Sequence, residues 1–177
     1  MTGTTKTKPT AATTTISPCS KLGRMPAPLP DRSRAESIST LQALLPLHLG
    51  LYLAAKQAHW AVRGSLFLQL HKLFDKVAKT AANGADTIAE RIRQLGGETT
   101  PVTTDPLIPG TDGLELARQL SQALANICAA NQSAIAMLIS SAHDEVSANL
   151  LTDVEGKLEK MRWMLESVVA PATAGAS

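Results

Sequence analysis

Aromatic side chains are scarce in this chain of 177 residues: Tyr52, Trp60, Phe67, Phe74 and Trp163 are all it has. Sheets are usually filled by aromatic and β-branched residues, whereas Ala and Leu dominate here, so a β-sandwich or barrel is disfavoured and an all-α domain is expected. Long apolar runs are missing too. The longest, such as residues 49–55, fall far short of the ~20 residues that cross a bilayer, and no apolar signal-peptide core follows Met1. Two cysteines, Cys19 and Cys128, make no disulfide framework. We therefore expect a cytoplasmic protein with no membrane association. Charge is nearly balanced, 17 basic against 15 acidic residues, but it is unevenly placed. Residues 1–36 hold six basic and two acidic groups, which leaves 17 − 6 = 11 basic and 15 − 2 = 13 acidic groups in the rest.

Residues 1–32 are rich in Thr, Ser, Pro and Lys and have little apolar surface with which to offset ordering entropy. They read as a flexible basic N-terminal arm, ahead of a four-helix bundle over 33–170 and a short tail over 171–177. Ser33-x-x-Glu36 has the form of a capping box, and apolar residues then recur at helical spacing over about 35–63. Two apolar stripes on this first helix imply burial on more than one side, hence an oligomer. Pro46 inside it predicts a kink. A second helix over about 67–95 should stop at Gly96-Gly97, and a third should follow the cap Asp112-x-x-Glu115. The proline-containing connection over 97–111 is expected to cross the end of the bundle. A fourth helix starts near Asp144 and ends before Pro171.

Two pairs on the second helix carry metal-ligating chemistry. His71 and Asp75 are four residues apart, as are Asp86 and Glu90, so each pair shares a helix face. Imidazole with carboxylate suits iron, manganese or zinc. Asp75 and Asp86 lie on one stripe but about 16 Å apart along the axis, so the pairs cannot share an ion within one helix. Either each pair binds separately, or a second chain running antiparallel brings its Asp86 and Glu90 against His71 and Asp75. The Glu-x-x-His motif of an intrachain di-iron bundle is absent. His48 reads as a core or interface histidine and His143 as a residue at a helix start.

The stretches KQAHWAVRG (56–64), LHKLFD (70–75) and ADTIAERI (85–92) resemble the Dps family, the mini-ferritins of the ferritin-like superfamily. The resemblance covers about 35–170. It implies a four-helix subunit with a short crossover segment, built through two-fold dimers into a hollow dodecamer. His59, His71 and Asp75 of one subunit and Asp86 and Glu90 of its partner are then the ferroxidase ligands. The implied activity is oxidation of Fe2+, with hydrogen peroxide, to ferric mineral stored in the cage, with iron (Fe2+/Fe3+) as the metal and zinc able to replace it in crystals. Trp60 and Trp163 resemble aromatic positions near the centre, although Trp163 also fits core packing. Asp144, Asn149 and Asp153 fall where the family lines the pore that admits iron, Asn149 at a position often acidic there. Lys6, Lys8, Lys21 and Arg24 of the arm suit sequence-independent DNA binding and nucleoid association. The alternative reading is a DNA-compacting protein with little ferroxidase activity.

Overall fold

The computed structural model describes residues 28–103 and 110–170. Four helices follow in chain order: α1, Asp31–Ala61; α2, Phe67–Gln94; α3, Gly113–Ser140; and α4, Glu145–Val169. Among the described residues there is no strand, only an isolated bridge between Arg63 and Asp112. The all-helical architecture is the expected one.

Each helix end has a local cause. α1 starts before the expected capping box: Pro30 is its N-cap, and Ser33 and Glu36 lie inside the helix. Proline is already set near the required φ, its carbonyl accepts from Arg34 N at 3.0 Å, and Asp31 favours the positive end of the helix dipole. Pro46 lies within α1 without ending it. α2 stops where the glycine pair stands. Gly96 adopts φ 85°, Gly96 N bonds Arg93 O at 3.0 Å and Gly97 N bonds Ile92 O at 2.9 Å, the paired bonds of a Schellman motif. Asp112 and Asp144 cap α3 and α4, their carboxylates accepting from Glu115 N at 2.8 Å and Ser147 N at 3.0 Å.

α1 packs along α2, and α3 along α4. One core cluster joins the C-terminal half of α1 to the N-terminal halves of α2 and α3 and the C-terminal half of α4, around Ala55, Phe74, Leu120 and Leu158. The other joins the opposite halves around Leu41, Ile92, Leu138 and Leu151. α2 and α3 therefore run parallel, so the end of α2 and the start of α3 lie at opposite ends of the bundle rather than at one end; residues 104–109 of the connection lie outside the described residues. Its anchors agree: Thr100 Oγ1 donates to Gln42 Oε1 at 2.8 Å, and Thr111 O accepts from Arg63 N at 3.1 Å. From residue 42 to residue 63 is about 32 Å at ~1.5 Å per residue, within reach of the eleven residue steps from Thr100 to Thr111.

α1 and α3 are, on average composition, long and apolar enough to cross a membrane, which the short uninterrupted runs did not suggest. Both pack into the bundle along one side, and each carries a fully buried polar residue, His48 and Asn131, bonded to one another.

Candidate metal centre

α1 ends and α2 begins at a break marked by Gly64 in the left-handed region, φ 99°. The two helices pack as an antiparallel pair, so residues ahead of the break face residues beyond it. His59 and His71 stack with ring centroids 3.7 Å apart and planes inclined by 22°. Their hydrogen bonds are reciprocal. Nδ1 of His59 lies 2.7 Å from the carbonyl oxygen of His71, and Nδ1 of His71 lies 2.8 Å from that of His59. A carbonyl only accepts, so each Nδ1 carries hydrogen and donates. In the neutral rings both Nε2 atoms then hold free lone pairs, the form in which imidazole binds a metal, with ring orientation set by the other nitrogen.

Asp75 stands one turn beyond His71. Its Oδ1 pairs with Lys56 Nζ at 3.0 Å and its Oδ2 with Lys79 Nζ at 2.8 Å. Hydrogen bonds from Lys79 and then Lys56 pull the carboxyl down to about 2. Lys56 also lies over the Trp60 ring, 5.8 Å from its centroid. Asp86 and Glu90, farther along α2, are exposed and make no side-chain hydrogen bond or ion pair among the described residues. Among those residues, no three of His, Cys, Asp and Glu in one chain gather into a metal-holding group. The donor set thus falls into two parts: two imidazoles with one lysine-paired carboxylate, and two bare carboxylates.

Trp60 and Trp163 are 70% and 62% exposed, so core packing does not hold Trp163 within this chain. Asp144 departs from its expected place on a pore. It is 1% exposed, caps α4, accepts from Ser147 and pairs with Arg91 at 2.9 Å, which leaves no carboxylate surface for solvent. Asn149 and Asp153 are exposed one turn apart on α4. His48 is a core residue, while His143 directly precedes the α4 cap with φ 51°. Lys6, Lys8, Lys21 and Arg24 lie outside the described residues. Lys56, Lys79 and Arg91 escaped the sequence reading. Only the spacing of Asp75 and Lys79, an i, i+4 acid–base pair, signalled one of them.

A profile of the ferritin-like domain matches residues 38–172. A DNA protection during starvation protein of Brevibacillus brevis is 31% identical over 126 residues, 66% of this chain and 83% of the relative. Among solved structures, Mycobacterium smegmatis Dps superposes with a TM-score of 0.78 at 24% identity, covering 86% of this chain and 96% of that one. Dps from Microbacterium arborescens in its high-iron form gives 0.69 at 26% identity, covering 79% and 96%. This four-helix chain belongs to the Dps group of the ferritin-like family.

Proposed function

We propose that the chain is an iron-storing, iron-detoxifying mini-ferritin that oxidises Fe2+ at centres shared between two copies. The observation that carries this reading is the split donor set. His59 and His71 donate from Nδ1 and leave Nε2 unengaged next to Asp75, while Asp86 and Glu90 stand bare on α2 about three turns from Asp75. An antiparallel second chain supplies what each half lacks, and a two-fold axis completes two centres at once.

Iron is the substrate. The imidazoles and Asp75 hold Fe2+ from one side, and the partner copy's carboxylates hold it from the other. Mixed nitrogen and oxygen ligation is weak enough for Fe2+ to bind and Fe3+ to leave. Hydrogen peroxide accepts one electron from each of two Fe2+ ions; with two waters it yields two FeOOH units and four protons, so atoms and charge balance. Consuming peroxide and Fe2+ together limits the radical chemistry that damages DNA, in keeping with the name of the Brevibacillus brevis relative. Twelve copies of 18.6 kDa make a cage of about 220 kDa. In it Asn149 and Asp153, without Asp144, face the pore through which iron enters. Zinc can occupy the same ligands. The setting is cytoplasmic, and nucleoid association depends on the arm. A second reading, DNA compaction with little ferroxidase activity, is favoured by Lys6, Lys8, Lys21 and Arg24.

Mixed dimers test the shared centre. Asp75→Ala and Glu90→Ala should each abolish rapid growth of ferric absorbance after Fe2+ and peroxide addition. A dimer with both changes on one chain and neither on the other should also be inactive, since each centre lacks one ligand. Half the wild-type rate in that dimer would refute sharing.

A further inference from the structure

The charges around the two half-centres are unequal. With neutral rings, the His59–His71–Asp75 half carries Lys56 and Lys79 against one carboxylate, or +1, while the Asp86–Glu90 half carries −2 and no basic partner. Facing one another, they sum to −1. One Fe2+ reverses that sign to +1, and a second raises it to +3 if both ammonium groups stay. At spacings of a few ångströms such repulsion weighs heavily against the second ion. Both oxygens of Asp75 are also engaged, Oδ1 by Lys56 and Oδ2 by Lys79, so a cation approaching this carboxylate meets an ammonium on either oxygen.

The two lysines differ in freedom. The Lys56 side chain is 24% exposed and lies near the Trp60 ring, whereas the Lys79 side chain is 75% exposed and can swing into solvent. We infer that Lys79 is a displaceable ammonium lock on Asp75: it neutralises the centre while metal is absent and must leave before a second divalent cation binds there. The inference rests on the shared centre proposed above. It makes Lys79 a positioning residue that tunes occupancy without being a ligand. Release of the lock opens Asp75 Oδ2 when the first ion is in place, and its return favours departure of the product.

The test is Co2+ binding to the full oligomer without oxidant, followed by calorimetry and by the visible ligand-field bands of Co2+. In Lys79→Met the second Co2+ should bind about fivefold to tenfold more tightly, with the first tightened by less. Lys79→Arg keeps a cation on Asp75 and should behave as wild type. Lys76→Met removes an exposed charge that makes no ion pair among the described residues, and should leave both affinities unaltered. Unchanged second-ion affinity in Lys79→Met, or equal tightening in Lys76→Met, overturns the lock while leaving the shared centre standing. A wild-type oligomer that takes up no Co2+ overturns the centre and the lock together.

Discussion

His48 and Asn131, 83 residues apart in the chain, meet inside the bundle with Nε2 of the ring 3.1 Å from Oδ1 of the amide. The amide nitrogen donates to Glu155 Oε2 at 2.8 Å, so Oδ1 is the accepting end and His48 Nε2 carries the hydrogen. Nδ1 is left without a partner, pointing at Gly84, whose missing side chain makes the room. The four helices each contribute one residue to this level, between the two apolar clusters.

Gly84→Ala should therefore destabilise the fold. The added Cβ would stand 2.8 Å from His48 Nδ1 and 3.0 Å from Val154 Cγ1, and neither neighbour is a free chain end. Alanine is the better helix former by roughly 1 kcal/mol, so overpacking of about 1–3 kcal/mol should leave a net loss. A lower urea midpoint at unchanged slope is the expected result.

The same layer responds to pH in two opposing ways. Burial holds the His48 imidazole below its usual 6.5, against the hydrogen bond to Asn131. As pH falls through about 6.5 the unfolded chain binds a proton that the fold refuses, so stability drops. Burial pushes Glu155 the other way, above the ordinary carboxylate range. The fold then gains a proton before the unfolded chain does, and stability rises as pH falls through the Glu155 pKa. His48→Gln preserves a donor to Asn131 and should flatten the loss that sets in as pH falls below about 6.5. Equal slopes for variant and wild type in urea titrations would contradict the assignment.

Asp144 joins helix capping to a buried ion pair. Burial opposes its ionisation, but the hydroxyl and amide of Ser147 and the Arg91 guanidinium outweigh it and hold the carboxyl below its usual value. Its contribution is present above about pH 4 and is lost as pH falls through the folded pKa. Asp144→Ala leaves the Arg91 side chain, 10% exposed, without its carboxylate, and should cost about 3–5 kcal/mol. Asp144→Asn retains a capping oxygen and should cost less. Thermal unfolding at neutral and acid pH separates the two losses.

Deleting residues 1–27 removes Lys6, Lys8, Lys21 and Arg24 but keeps Leu29, which packs on the core. The truncated protein should keep its oligomer and its iron oxidation and lose the DNA gel shift. In the full chain that shift should weaken steeply between ~50 and ~200 mM salt, as counterion release requires. Undiminished binding by the truncated form would place the contact on the bundle.

Much of this protein follows from local rules that act over a few residues. Apolar spacing marks four helices, Gly96 and Gly97 stop α2, and Asp112 caps α3, because each depends only on backbone geometry and near neighbours. The spacing of His71, Asp75, Asp86 and Glu90 likewise separates the carboxylates into two stations on one helix, and the stretches around His59 and His71 carry the family resemblance. Residues distant in sequence but close in space needed the fold. Only the antiparallel seating of α1 on α2 stacks His59 on His71 and brings Lys56 to Asp75. Only the approach of α2 to α4 buries Asp144 against Arg91, which removes it from the expected pore. The parallel run of α2 and α3 was decided the same way, because a helix pattern specifies an element's length and face but not the direction in which its neighbour lies.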